Sequence, residues 1–361
     1  MIDIDQSEQR VLDAEDWQHF SRHEVKNTDE LYDFCQQRQR SLHLRDGHVF
    51  DVSLIDVRET GEVRIFLVMH HMVSDRISLL LLIDSISELY SLAVDRGTLP
   101  DRPPPSFGVW TSKLEVQARN GHAADAEASL MALPWEDVEP LRTSDVPNRN
   151  RDGNAVRVEL GAELSRSLLE SDVGSVDELL LAGLFESLAE WTGGEAASVE
   201  TVNHGRRLFD DVDVSRSVGF FLSYLPLVIG RESMCNTETV VEEIRRQKSF
   251  NQLYDPLRFY GEAPRNANIS GIRRPDVLFN YVGRPISAPV GQAFRPTNER
   301  RGDEVDPDGN RDHAIAVMAE VDDTDQITLI FVHSLRLHSE LEITCLADTF
   351  TRQVNRVLSF A

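Results

Sequence analysis

The sequence is poor in cysteine, in basic residues and in long hydrophobic runs. Its 361 residues include three cysteines, Cys35, Cys235 and Cys345, which stand far apart in the chain. Because no two of them form a Cys-x-x-Cys pair, neither a zinc ribbon nor a thiol redox motif is indicated. A sparse and odd number of cysteines is typical of a protein from a reducing cytoplasm.

Positive charge is also scarce. The chain has 37 basic and 61 acidic residues, which gives a formal net charge of −24 at pH 7. Such a surface repels phosphate backbones and anionic membranes, so neither nucleic acid nor a membrane is expected as a partner. The simpler interpretation of this charge is solubility.

Targeting signals and several common motifs are missing as well. The acidic start, MIDIDQSEQRVLDAEDW, has neither the basic nor the apolar region of a signal peptide, and the apolar run over 77–83 is too short to cross a bilayer. The sequence therefore predicts a cytoplasmic protein. There is no Walker sequence, no G-x-S-x-G and no G-x-G-x-x-G. No metal site is predicted, because His333, His338 and Glu340 lack a ligand motif such as H-E-x-x-H.

What is present is typical of a globular α/β protein with two subdomains. Hydrophobic residues make up 41% of the chain, and its length exceeds what one core usually supports. Periodicity predicts a helix over 29–44 and a hairpin of strands 49–57 and 63–71. Loops are predicted by two proline-rich segments, 97–107 and 132–154, and by a polar segment, 284–312. We place a first subdomain at 1–133, a linker at 134–154 and a second subdomain at 155–361.

The second subdomain repeats the alternation of strands and helices. We predict strands and helices here from apolar runs and helical periodicity, respectively. The strands are predicted at 156–160, 197–205 and 276–283, with a strand pair after 312, and the run 218–229 is predicted as a buried or a broken strand. The helices are predicted at 175–193, at 237–250 and at the end of the chain.

Candidate chemistry lies where the predicted strand 63–71 ends at His70 and His71. A short polar loop follows, and a helix is predicted to open near Ser74 and Asp75. Strand ends fix side-chain positions and helix N-termini present free N–H groups, so this junction is suited to a functional site.

The heptapeptide HHMVSDR at 70–76 resembles the HHxxxDG element of condensation and epimerization domains of non-ribosomal peptide synthesis. Three later segments resemble elements of the epimerization subtype, in the same order: 204–229, 275–284 with its FNY triplet, and 335–350. The resemblance covers roughly residues 29 to 361. It implies an α/β fold of two chloramphenicol-acetyltransferase-like subdomains in a V-shaped arrangement. The first subdomain would be incomplete, because the early motifs have no counterpart: a true truncation, an artificial boundary or a part supplied by a partner chain.

The resemblance also implies the chemistry. The family acts on aminoacyl or peptidyl thioesters that a carrier protein presents on phosphopantetheine, and no intrinsically bound cofactor is expected. His71 would be the central base, since an imidazole titrates near neutrality. His70 is expected to pack or hydrogen-bond within its lobe. Asp75 would be structural, held by Arg206 or Arg216, although an aspartate at a helix start is also an ordinary N-cap.

Among the departures from the family pattern, two bear on the chemistry. Arg76 replaces the glycine of HHxxxDG, where it would obstruct the pantetheine arm, bind its phosphate or an acidic substrate, or point to solvent. Val202 stands where the epimerization subtype has a glutamate, and valine cannot carry the second proton that epimerization needs.

Asn280, Tyr281 and His204 complete the candidate substrate-binding set. The first two belong to the FNY triplet and could contact the thioester oxygen, although the triplet also fits an ordinary buried strand. Tyr281, with an ordinary pKa of about 10, is a poor base without tuning.

Three hypotheses follow. The favoured one is a condensation-like acyltransferase that acts on carrier-bound thioesters, with His71 as the base. The second is an epimerase of carrier-bound aminoacyl groups, which the subtype elements favour and Val202 opposes. The third is a non-catalytic docking domain that recruits a carrier protein or a tailoring enzyme, which Arg76 and the missing opening segment favour. Other synthetase modules are further candidate partners.

Overall fold

The structure is a computed structural model that describes residues 2–3, 8–9, 20–94, 107–120, 122–141, 146–262, 265–284 and 294–359. It divides into two compact units. Unit 1 comprises Met1–Phe107, Phe209–Phe221 and Ser287–Asp306, and unit 2 comprises Gly108–Leu208, Leu222–Ile286 and Pro307–Ala361.

Unit 1 contains a three-stranded sheet with a helix on one face. In order along the chain its elements are β1 (Ile2–Asp3), β2 (Glu8–Gln9), β3 (Phe20–Val25), α1 (Thr28–Arg40), β4 (Phe50–Val57), β5 (Glu62–Met69) and α2 (Arg76–Val94). The sheet order is β3-β4-β5, with β3 parallel and β5 antiparallel to β4. The predicted helix and hairpin are thus confirmed. Leu31 and Cys35 of α1 pack on Val25, Ile55 and Val57.

Helix α2 is longer than the apolar run suggested. Among the described residues it is the one helix whose length and composition would let it cross a membrane, with 19 residues and a mean hydropathy of 1.7. A single helix of this kind is weak evidence for a membrane, so we assign none from this finding. The expectation that no membrane is involved stays a prediction.

Unit 2 contains a six-stranded sheet in the order β6-β11-β10-β9-β7-β8. Strand β9 is parallel to both of its neighbours, and the other pairs are antiparallel. The strands are β6 (Gly153–Glu159), β7 (Ala196–His204), β8 (Leu222–Gly230), β9 (Val277–Gly283), β10 (Ile315–Val321) and β11 (Ile327–Ser334). The helices are α3 (Phe107–Arg119), α4 (His122–Met131), α5 (Ala162–Glu170), α6 (Val176–Thr192), α7 (Thr237–Asn251), α8 (Tyr254–Tyr260), α9 (Arg265–Gly271) and α10 (Glu340–Ser359).

The core of unit 2 lies between one face of this sheet and helices α6 and α10. Residues 179–189 of α6 are all buried, so the helix that the apolar run predicted is buried on every side. A Cβ added to Gly183 would lie 2.8 Å from Cγ2 of Val354, so glycine lets α10 approach closely. Gly193 ends α6 in the left-handed conformation, as helix C-termini often do.

Strand β8 is an edge strand, and side chains from α7 and α8 occupy its outer backbone groups. Gln247 accepts from the Val228 N–H at 2.9 Å and donates to its carbonyl at 2.6 Å. Asn251 donates to the Pro226 carbonyl, and Asp255 accepts from the Tyr224 N–H at 3.0 Å. Side-chain partners of this kind keep an edge strand from pairing with another strand.

The compact units do not follow the predicted division at 134–154. The chain passes between them at Phe107 and Gly108. The reason is packing, because Ala123, Ala126 and Leu130 of α4 join the same hydrophobic cluster as Tyr254 and Leu257 of α8. Within the predicted loops, residues 97–106, 142–145 and 285–293 lie outside the described residues.

Candidate functional site

The His70–Asp75 segment joins the last strand of unit 1 to helix α2. Strand β5 ends at Met69, two residues earlier than predicted, and His71 begins a 3-10 turn that runs to Val73. The His70 N–H still pairs with the Val49 carbonyl at 2.8 Å, so the strand ladder fixes the start of the turn. His71 therefore projects from a turn whose two ends are set by a sheet and a helix.

The ring of His71 is held in one tautomer. Its Nδ1 lies 2.8 Å from the carbonyl oxygen of Ser74. A carbonyl can only accept, so Nδ1 carries the proton and Nε2 keeps a free lone pair. The side chain is exposed. His71 thus presents an accessible hydrogen-bond acceptor and proton acceptor.

His70 has the opposite arrangement. Its Nδ1 accepts a hydrogen bond from the Met72 N–H at 3.2 Å, so a neutral His70 carries its proton on Nε2. Burial, and secondarily the neighbouring His71, lower its pKa. His70 thus caps its own turn and shapes the site, and its lowered pKa disfavours its charged form.

Asp75 is buried and connects two parts of unit 1. Its carboxylate accepts from the Ser78 N–H and hydroxyl, both at 2.7 Å, which is the geometry of an N-cap for α2. It also accepts from the Phe221 N–H at 3.3 Å. Of the two arginines predicted to hold Asp75, Arg216 instead lies 3.8 Å from Glu88, since its exposed side chain reaches along α2. A role for Arg206, in the turn after β7, stays a prediction.

Ser78 and Phe220 complete the surroundings of His71. The Ser78 hydroxyl lies 3.0 Å from the nitrogen and 2.9 Å from the oxygen of Gly219. The ring of Phe220 meets the His71 ring edge-on, with centroids 5.7 Å apart and planes at 70°. Both contacts join residues about 140 to 150 positions apart, which is why sequence reasoning missed them; the segment VGFF was visible but was interpreted as part of a strand.

Arg76 is the first residue of α2 and is exposed. Its exposure agrees with the solvent-facing alternative, while obstruction of the pantetheine arm and phosphate binding stay predictions.

In unit 2, the structure places Val202, His204 and Asn280 on one face of the sheet. Residues two apart on β7 share a face, and the β7–β9 pairing aligns Glu200 with Leu278, so Val202 and Asn280 follow on the same side. His204 ends β7 and is exposed.

Tyr281 points to the opposite face, where it packs against the core of unit 2. Burial raises its pKa, and Asp177 adds to that rise. The side chains of Asn280 and Tyr281 thus point to opposite faces, because neighbouring strand residues alternate faces. Contact of either residue with the thioester oxygen stays a prediction.

A buried ionic network that the sequence did not reveal lies on the Val202 face. Glu200 is fully buried and lies 2.7 Å from Nη2 of Arg274 and 2.7 Å from Nε2 of His313. Burial raises the pKa of Glu200, but the hydrogen bonds from His313 and Arg274 outweigh it and leave the pKa below its usual value. Glu200 is thus an ionised carboxylate that is paired with Arg274 and His313. A glutamate within an apolar strand was the feature of the sequence that could have indicated this network.

Comparison with known proteins identifies the kind of domain. The family model described as condensation domain matches residues 3–360. A linear gramicidin synthase protein of Brevibacillus parabrevis is 29% identical over 334 residues, which cover 88% of this chain and 6% of the synthase protein. The chain therefore spans a small part of the length of this relative.

Two solved structures have the same fold. The epimerization domain from the third module of tyrocidine synthetase B gives a TM-score of 0.73 at 20% identity, covering 94% of this chain and 80% of that domain. The condensation domain from Monacolin K polyketide synthase gives 0.65 at 15% identity, covering 94% and 79%. At these identities the likeness concerns the fold.

Proposed function

This chain belongs to the condensation domain family, and from that membership we propose that it transfers the acyl group of a carrier-bound thioester to an amine or hydroxyl, with His71 as general base. The thioester would be presented on the phosphopantetheine of a carrier protein domain. The setting would be a non-ribosomal peptide synthetase, the class of protein that a relative from Aspergillus violaceofuscus carries in its name.

The observation that carries this proposal is the tautomer of His71. The Ser74 carbonyl fixes the proton on Nδ1, which leaves the exposed Nε2 free to accept one. A general base needs this combination of a fixed ring, a free lone pair and access for the substrate.

The proposed acyl transfer consists of an attack on the thioester and the loss of a thiolate. The attacking nitrogen or oxygen forms a bond to the thioester carbonyl carbon, and Nε2 of His71 removes the proton that this atom carries. The C–S bond then breaks, the pantetheine sulfur leaves as a thiolate, and His71 returns the proton to it. The products are an amide or ester and a free carrier thiol.

The test uses donor and acceptor groups loaded on carrier proteins, with product detected by mass spectrometry. We expect His71→Ala to lower the rate of amide or ester formation by about a hundredfold or more. His43→Ala, an exposed histidine in the same unit, is the matched control and should leave the rate unchanged. An undiminished rate in His71→Ala would exclude the proposal. If deletion of the protein nevertheless stops the pathway, the docking function replaces it.

Epimerization is the second candidate, favoured by the position of His204. Two proton-transfer groups on opposite sides of the α-carbon are needed, and Val202 cannot be one of them. His204 lies on the same strand face as Val202 and is exposed, so it can stand in for the missing carboxylate. Incubation of a carrier-bound aminoacyl group in D2O tests this function, because epimerization incorporates deuterium at the α-carbon. Absence of incorporation would exclude it.

A further inference from the structure

The segment Phe209–Phe221 belongs to unit 1 although the chain on either side of it belongs to unit 2. Its last residues are attached to the start of α2 by several hydrogen bonds. Ser78 accepts from the Gly219 N–H at 3.0 Å, and Asp75 accepts from the Phe221 N–H at 3.3 Å. Because Asp75 also caps α2 by accepting from the Ser78 N–H, the segment and the His70–Asp75 turn are both anchored to the first turn of this helix.

Packing restricts the same segment from its other side. A Cβ added to Gly219 would lie 2.4 Å from the ring of Phe107, so the backbone here touches an aromatic face and has no room for a side chain. The Phe107 ring also meets Phe221 edge-on, with centroids 5.0 Å apart, and Phe221 is fully buried. The residue between Gly219 and Phe221 is therefore held at both of its neighbours.

We propose that this residue, Phe220, is a positioning residue for His71. The hydrogen bond from Nδ1 to Ser74 fixes one edge of the imidazole but leaves the ring able to tilt about that bond. The Phe220 ring, edge-on at 70° and half-buried, restrains the tilt and so sets the direction of the Nε2 lone pair. Because hydrogen bonds and packing fix Gly219 and Phe221, the Phe220 ring orients His71 more firmly than a mobile surface side chain would.

The proposal rests on the proposed function only where it concerns rate, since the orientation of His71 is measurable by itself. Ring-¹⁵N-histidine NMR of the full chain, with the His71 signals assigned by their loss in His71→Gln, reports how firmly Nδ1 keeps its proton and its hydrogen bond, and a ring current hardly moves ¹⁵N signals. We expect Phe220→Ala to move the His71 Nδ1 and Nε2 signals toward the average of the two tautomers, and Phe220→Tyr, which keeps the ring, to leave them nearly in place. Phe259→Ala removes a phenyl group that is 67% exposed in unit 2 and serves as the matched control.

The kinetic measurement separates positioning from folding. In the acyl-transfer assay, Phe220→Ala should lower kcat by about tenfold with a smaller change in KM, because misdirection of a catalytic group costs rate rather than binding. Phe220→Tyr should restore kcat.

The outcomes are distinguishable. An unmoved His71 signal in a folded Phe220→Ala protein would overturn the positioning role whatever the activity. A moved signal in a protein whose His71→Ala variant is fully active would uphold the contact and overturn the proposed function instead. If Phe220→Ala fails to fold, the comparison of Phe220→Leu with Phe220→Tyr decides: a signal that moves in the leucine variant supports the role, and one that stays contradicts it.

Discussion

The hydroxyl of Ser78, in the first turn of α2, lies within 3.0 Å of both backbone polar atoms of Gly219, 141 positions later in the chain. One side chain thus attaches a distant segment to the helix that follows the His70–Asp75 turn. Because these contacts are buried, breaking them leaves polar groups without water to replace the lost partner.

Substitution of Gly219 by alanine should destabilise the protein by about 1–3 kcal/mol, because the added methyl overlaps the Phe107 ring in a packed region. Urea unfolding measures the change. Gly230→Ala is the matched control, since a Cβ there meets nothing within 4 Å. Equal stability of the two variants would show that the segment moves freely.

The carboxyl of Asp255 predicts a specific pH dependence. Burial raises its pKa from 3.8 to about 6. The folded state then binds the proton more tightly than the unfolded state, so this contribution to stability is complete below pH 3.8 and is lost as the pH rises through 6. Asp255→Asn keeps an acceptor for the Tyr224 N–H and should be more stable than the parent by about 1–2 kcal/mol at pH 8 and equal to it at pH 3.5.

Denaturant unfolding of the Asp255→Asn variant and the parent across this pH range measures the difference. Asp125→Asn, at an exposed aspartate of α4, controls for the loss of one negative charge. A difference that does not change with pH would contradict the raised pKa.

His333 predicts the opposite dependence. It is fully buried, and burial lowers its pKa below 6.5. The folded state therefore resists protonation, so stability is complete above pH 6.5 and falls as the pH drops from 6.5 through the lowered pKa. His333→Gln should lose part of this acid sensitivity in thermal unfolding between pH 7 and 5, whereas His43→Gln should keep it. Parallel curves for the parent and His333→Gln would refute the assignment.

The two residues of the FNY triplet should behave differently. Asn280 lies on the sheet face that carries Val202 and His204, whereas Tyr281 packs into the core. If substrate contacts the Val202 face, Asn280→Ala should raise KM for a loaded carrier about fivefold to tenfold, the effect of one lost hydrogen bond. Tyr281→Phe should leave KM unchanged, and the reverse result would place the substrate elsewhere.

Local periodicity predicted much of the fold. Helix α6 and strands β9 to β11 lie close to their predicted positions. Each of them has a continuous apolar or alternating pattern in the sequence, and such patterns indicate helices and strands directly. Of the two alternatives for the apolar run 218–229, a buried strand and a broken one, the structure agrees with the second. Residues up to Phe221 belong to unit 1 and β8 begins at Leu222, because Asp75 and Ser78 hold the first part. Distant partners of this kind leave no local pattern.

The candidate site was predicted in composition but not in contacts. His71 and Asp75 were recognised by spacing, yet the tautomer of His71 depends on the Ser74 carbonyl, and residue types do not specify the orientation of a backbone group. The family resemblance suggested an arginine for Asp75, and a role for Arg206 stays a prediction. The described contacts show a hydroxyl and two backbone N–H groups, which occur throughout any sequence and whose partners no local pattern indicates.

The helix side chains that cover the outer edge of β8 can stay aligned with it only over a short length of strand. Gln247, Asn251 and Asp255 follow every four residues of helix, about 6 Å of rise, whereas the backbone groups that they meet repeat every two strand residues, about 6.7 Å. The helix repeat and the strand repeat therefore differ by roughly 0.7 Å at each contact. The interruption between α7 and α8, after Asn251, falls between the second and third contacts. A straight helix would lose its register with the strand after a few contacts. The break between α7 and α8 therefore lets one row of helix side chains cover a longer part of the strand edge.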